Sequence, residues 1–215
     1  MPDLARPRIV SLVPFATEAL ALVGGLSRLV GRSHECDFPP GLGHVPVLTA
    51  PRVLGGSPAE IDARVSRSLA ESGSLYSLDA ERLASLKPDV ILTQTLCEVC
   101  SIDLASVERA VRDSSPDATI LTLNPRGIED VLDDVARVSR AAGLEDAGAS
   151  AVVALRERLF AASEFVNPYD DGASVAFLEW TDPLFGAGHW TVQMIERAGG
   201  RHPLNPTRPD PGAGA

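Results

Sequence analysis

Between residues 8 and 142, short β-branched or apolar runs alternate with longer segments of helical period, and this alternation constrains the fold more than any other feature. The short runs at residues 8–12, 29–31, 90–93 and 119–123 read as strands. The segments between them are long enough for crossover helices, so the expected architecture is α/β with a largely parallel sheet. Helices are predicted over residues 57–71, 79–86, 104–112 and 128–142, the last with Val131, Val135 and Val138 on one face. Ser57-Pro58-Ala59-Glu60 has the hydroxyl cap, first-position proline and later glutamate of a helix start. Pro14 interrupts the first strand, Thr17 stands where it can cap a short helix, and Gly24-Gly25 closes it. Residues 32–56, rich in Pro and Gly, read as a long ordered loop of the kind that carries function.

A second part begins with an Ala/Leu/Arg/Glu-rich helical pattern over residues 145–165, broken by Asn167-Pro168-Tyr169-Asp170-Asp171-Gly172. A strand over 174–180 and a helix over 191–198 follow, ended by Gly199-Gly200, and the proline-rich tail from Arg201 is expected to be disordered. The expected organisation is an N-terminal α/β lobe over 8–143, an interlobe helix over 144–166, an incomplete C-terminal lobe over 172–200 and the tail over 201–215. Roughly 30 ordered residues after the break are fewer than the roughly 50 a domain needs. The expectation is a fragment, a βα unit packed on the first lobe, or a lobe completed by a partner.

Composition removes several function classes. Acidic residues outnumber basic ones 29 to 19, and no Lys/Arg cluster tracks a phosphate backbone, so nucleic acid is not the expected partner. No apolar run approaches the roughly 18 residues that span a bilayer, so membrane insertion is not expected. The N-terminus shows no secretory signal, which predicts a cytoplasmic protein, or a periplasmic or cell-surface one if the N-terminus is incomplete. Three cysteines are too few for a disulfide scaffold and are expected as thiols or metal thiolates. No Ser/His/Asp triad, P-loop or dinucleotide glycine fingerprint is present, which favours a non-catalytic protein.

Three motifs carry a family resemblance. Arg8-Ile9-Val10-Ser11-Leu12-Val13-Pro14 with Ala16-Thr17-Glu18, then Leu29-Val30-Gly31-Arg32-Ser33-His34-Glu35-Cys36-Asp37, then Leu86-Lys87-Pro88-Asp89-Val90-Ile91-Leu92-Thr93-Gln94, resemble the N-lobe of periplasmic binding proteins whose lobes are joined by one long helix. These are the iron-siderophore and cobalamin binders. Cys97-Glu98-Val99-Cys100 and the later Leu178-Glu179-Trp180 with Asp182-Pro183-Leu184-Phe185 are most similar to a cobalamin-binding-protein-like subgroup. The resemblance covers roughly residues 8–200. It implies non-catalytic binding of a cobalamin, corrinoid or related metal chelate between two lobes, with an ABC permease as partner. Phe15 departs from the pattern, which has a small residue such as serine there, and the chain stops where further βα units would follow.

The candidate site residues fall into two sets. For the chelate, Trp180, His189 and Trp190 offer aromatic contact and an imidazole for an axial position on cobalt. Pro14, Phe15 and Thr17 mark a helix start whose free amides suit an anionic group, and Arg32 and Gln94 end strands where they can hydrogen-bond a corrin's amides. Each has a plainer reading: Trp180 as an interface anchor, His189 as a cap, Arg32 and Gln94 as loop-ordering residues. For metal, His34, Cys36, Cys97 and Cys100 make up a Cys3His set able to hold zinc or iron, or to do thiol redox chemistry. Against it stands Cys36 as an ordinary buried residue and Cys97 and Cys100 as helix-start residues or an incidental disulfide. The functions in view are thus a chelate-binding protein, a thiol-based metal or redox protein and, third, a metal-dependent enzyme built on the same Cys/His site.

Overall fold

A computed structural model describes residues 6–72, 74–95, 104–167, 169 and 172–205. The predicted α/β fold is present. Strands β1 (Ile9–Ser11), β2 (Leu29–Arg32), β5 (Val90–Thr93) and β6 (Thr119–Thr122) form a parallel sheet in the order β2-β1-β5-β6. Helices α1 (Pro14–Leu22), α3 (Ala80–Leu86) and α4 (Leu104–Ser114) lie in the crossovers, and α5 (Ile128–Ala141) follows β6.

Two apolar layers sandwich the sheet. Because side chains alternate along a strand, Ile9 and Leu92 point to a cluster with Leu20, Val135 and Val138, while Val10 and Ile91 point to one with Leu48, Leu83 and Val107. Burying each such aliphatic side chain contributes about 1.5–3 kcal/mol. Gly31 is required on the second face: a Cβ there would lie 2.8 Å from Leu48 Cδ1 and 2.8 Å from Leu86 Cδ1. Asp79 caps α3 by accepting from the Arg82 N–H at 2.9 Å.

Residues 32–56 are more structured than a loop. They contain a 3-10 turn at Leu42–His44 and strand β3 (Thr49–Pro51), which pairs antiparallel with β4 (Tyr76–Leu78). A bridge between Arg32 and Val47 fastens this ribbon beside β2, and α2 (Pro58–Ser72) connects its two strands.

Helix α6 (Glu145–Ser163) packs along α5, closest where Gly148 meets Ser139. After it, β7 (Leu178–Thr181) pairs antiparallel with β8 (Leu184–Gly186) and leads to α7 (His189–Arg197). The expected strand over 174–180 is therefore shorter, with residue Ser174 instead bridging Arg201. The expected disorder from Arg201 is corrected for residues 201–205. His202 is 2% exposed; its Nδ1 lies 3.2 Å from the Asn205 amide, and its Nε2 lies 3.2 Å from the Phe177 amide and 3.4 Å from the Phe177 carbonyl. A backbone tied at both ends by a buried imidazole overrides the tail's polar composition.

Candidate functional site

The four parallel strands end at Ser11, Arg32, Thr93 and Thr122, so their carboxyl ends share one edge of the sheet. Open α/β sheets bind ligands at this edge. Pro14, Phe15, His34, Cys36 and Gln94 all leave the sheet here.

Helix α1 starts earlier than Thr17. Val13 is its N-cap and Pro14 its first residue, with no side-chain cap and no acidic residue in the first turn. The Phe15 and Ala16 amides make no hydrogen bond among the described residues, and Phe15 is half-buried at this start.

Thr17 turns inward instead of capping or facing the edge. Its hydroxyl is fully buried, 2.8 Å from Ser11 Oγ and 3.1 Å from Cys36 Sγ, while Ser11 Oγ donates to the Val13 carbonyl at 3.0 Å. Thr17 is thus a lock between β1, α1 and the loop after β2.

Arg32 also differs from the ligand-facing role expected for it. Its Nε donates to the Leu42 carbonyl at 3.3 Å and its Nη1 to the Ser33 and Cys36 carbonyls at 3.2 and 3.0 Å. Those bonds shape the loop over 33–42. Gln94 is partly buried just beyond β5. Next to it the sequence reading missed a pair: Asn124 Oδ1 accepts from the Thr95 N–H at 2.7 Å, and Asn124 Nδ2 donates to Thr95 Oγ1 at 2.8 Å. This pair joins the loops after β5 and β6, and polar residues directly following two strands were its only sequence signal.

The metal set does not assemble from the residues described. Cys36 is 0% exposed, and burial pushes its thiol pKa up, against smaller opposing effects of Thr17, the Ser33 amide and Arg32. A neutral, inward thiol is a poor metal ligand. His34 Nδ1 lies 2.7 Å from Thr49 Oγ1, its ring stands 5.1 Å from Tyr76, and Nε2 is 3.2 Å from Glu35 Oε1 without hydrogen-bond geometry. Cys97 and Cys100 lie outside the described residues. Among the described residues no group of three or more His, Cys, Asp or Glu could hold a metal ion.

The C-terminal unit reaches both flanks of the edge. At the β6 flank, α7 packs on α5, where Gln193 Oε1 accepts from the Ile128 N–H at 2.9 Å. Glu129 accepts there from Arg156 at 3.2 Å and Arg197 at 3.1 Å, joining α5, α6 and α7. At the β2 flank, Trp180 Nε1 donates to the Pro58 carbonyl of α2 at 3.3 Å and to the Asp182 carbonyl at 3.1 Å. Between these two anchors in sequence are His189 and Trp190, half-buried, with ring centroids 5.9 Å apart. Gly188 donates its N–H to Glu179 Oε1 at 3.0 Å, holding the start of α7 against the hairpin. His189 has φ 51, a left-handed conformation that costs a non-glycine residue about 1 kcal/mol or more.

Comparison with known proteins agrees with this architecture. Solved structures that superpose on the chain include the periplasmic vitamin B12 binding protein BtuF of Vibrio cholerae, at 19% identity and a TM-score of 0.64. Others are the periplasmic heme-binding proteins HutB of Vibrio cholerae, at 16% and 0.67, and RhuT from Roseiflexus sp. RS-1, at 20% and 0.65. The matches cover 91%, 92% and 91% of this chain but only 65%, 66% and 65% of those proteins. The chain thus spans about 65% of the length of these structures, and at such identities the likeness establishes the fold. No curated protein sequence matches. The family model described as "Periplasmic binding protein" matches residues 9–207, and the chain belongs to that family.

Proposed function

We propose that this chain is a non-catalytic substrate-binding protein that holds a flat metal chelate, a corrinoid such as cobalamin or a related macrocycle such as heme, at the carboxyl edge of its sheet. The observation that supports this reading is the docking of the C-terminal unit, bonded to Ile128 through Gln193 and to Pro58 through Trp180, with half-buried His189 and Trp190 on the segment between those two contacts. A planar macrocycle needs broad apolar contact, and half-buried Phe15 and Trp190 offer it. The free Phe15 and Ala16 amides suit a carboxylate or phosphate carried by such a ligand. His189, held in a strained conformation, is the imidazole available for an axial position. Vitamin B12 and heme, named for the superposing proteins, are both of this chelate class.

Family membership favours a periplasmic or cell-surface location over the cytoplasmic one expected from the N-terminus, and an ABC permease as the partner that receives the ligand. No described helix is long and apolar enough to cross a membrane. Zinc or iron held by His34, Cys36, Cys97 and Cys100 gains no support from an inward, neutral Cys36.

The test is fluorescence titration of the two tryptophans with hydroxocobalamin and, separately, with hemin. Saturable quenching by one of them, largely removed in Trp190→Phe, is expected. Failure of both to saturate would sink the proposal.

A further inference from the structure

We infer a second binding site, for a small molecule bearing a carboxylate or phosphate, in the cavity of about 410 Å³ that α2 forms with the segment after β3. Three guanidinium groups, Arg52, Arg64 and Arg67, line it, with Glu71 as the one carboxylate among the lining residues. In a chain of net charge −10, three guanidinium groups against the single carboxylate of Glu71 leave this lining net positive, which favours an anion.

Two of the three are held by backbone bonds that leave donors over. Arg52 Nε donates to the Tyr76 carbonyl at 3.1 Å, and Arg64 Nη1 donates to the Leu54 and Gly55 carbonyls, each at 2.9 Å. Both Nη groups of Arg52 and the Nη2 of Arg64 then make no hydrogen bond among the described residues. Arg67, close to one turn on from Arg64, makes no hydrogen bond or ion pair at all among them. The nearby Glu60 carboxylate accepts from the Ser57 N–H at 2.8 Å and hydroxyl at 3.0 Å at the start of α2, and it also feels the charge of Arg64.

The planar guanidinium fork matches two oxygens of a carboxylate or phosphate, and fixing Arg52 and Arg64 in advance lowers the ordering cost of binding. Val53 and Leu54, the latter 71% exposed, add an apolar wall beside the charges. That pairing of surfaces fits an anion attached to an apolar body. None of these residues belongs to the edge proposed for the chelate, so the two sites are tested separately.

The experiment is isothermal titration of the full chain, at low ionic strength, with inorganic phosphate and with citrate as probes. Saturable one-to-one binding of at least one probe is expected, weakened about ten-fold in Arg67→Gln and further in Arg52→Gln/Arg67→Gln. Circular dichroism of each variant serves to show that it remains folded. Phosphate alone saturating assigns a phosphate-bearing ligand, and citrate alone a carboxylate. No saturation with either, or saturation that both variants leave unchanged, overturns the inference. Hydroxocobalamin and hemin titrations are expected to be the same in these variants as in the parent.

Discussion

Gln193→Ala probes how the C-terminal unit is held over the sheet edge. In the folded protein Gln193 Oε1 accepts from the Ile128 N–H at 2.9 Å, and the side chain lies flat on Gly127, where an added Cβ would fall 2.9 Å from its Nε2. Removing it strands a first-turn amide of α5 at a packed helix junction, which costs about 1–2 kcal/mol. The neighbouring Glu129–Arg197 pair is open to solvent, at 57% and 43% exposure, so its loss is worth about 0–1 kcal/mol. Gln193→Ala is therefore expected to raise the undocked population of the unit about 5- to 30-fold, and Arg197→Gln by no more than about 5-fold. Native-state hydrogen exchange reads this directly. Peptides covering residues 175–201 should exchange faster by that factor, while those covering β1 and β5 keep their rates. Unchanged exchange over 175–201 would refute the docking role of Gln193. Equal acceleration in β1 and β5 would show that the unit and the sheet open as one body.

Three further outcomes are expected. Gly148→Ala should lower stability in urea by about 1–2 kcal/mol despite alanine's better helix propensity, because the new methyl would sit inside the Ser139 side chain. Adding Ser139→Gly, which leaves only Ser139 Cα at 3.9 Å, should give a double variant more stable than the sum of the two changes, and a stabilised single variant would contradict the close approach of α5 and α6. The Cys36 thiol has its folded pKa raised above its ordinary 9.0, so its stabilising contribution is complete below pH 9.0 and is lost as pH rises toward the folded value. Urea titrations at pH 7 and pH 10 should show that loss in the parent and a smaller one in Cys36→Ala; equal losses would contradict it. Leu92→Ala, at 0% exposure between β1 and β6, should cost about 2–5 kcal/mol, and a cost near zero would place Leu92 outside the core.

The parallel sheet was legible because short β-branched or apolar runs such as Val90–Thr93 alternate with segments of helical period long enough for crossover helices. Helix α5 was legible from Val131, Val135 and Val138 at helical spacing. The β3–β4 ribbon was not, because Thr49–Pro51 and Tyr76–Leu78 are three residues each, too short for periodicity, and their register is set by pairing across residues 49–78. Residues 201–205 looked like tail because no local pattern announces a histidine buried by contacts with Phe177 and Asn205. Among the candidate residues, the strand ends placed Phe15, His34 and Gln94 at one edge of the sheet, but residue type alone could not distinguish an outward-facing side chain from one that braces a loop. Arg32 and Thr17 proved to be braces, since nearby carbonyls and hydroxyls offered their donors partners at shorter reach. The Thr95–Asn124 pair was missed because it joins residues 29 positions apart.

The most direct test of the central claim is a hydrogen-exchange footprint of the full chain with and without saturating hydroxocobalamin or hemin. Bound chelate is expected to protect the amides at residues 14–16, 94–95 and 188–191 and to leave those of α4 unchanged. Protection confined to other surfaces, or no protection with either chelate, would contradict ligand binding at the carboxyl edge of the sheet.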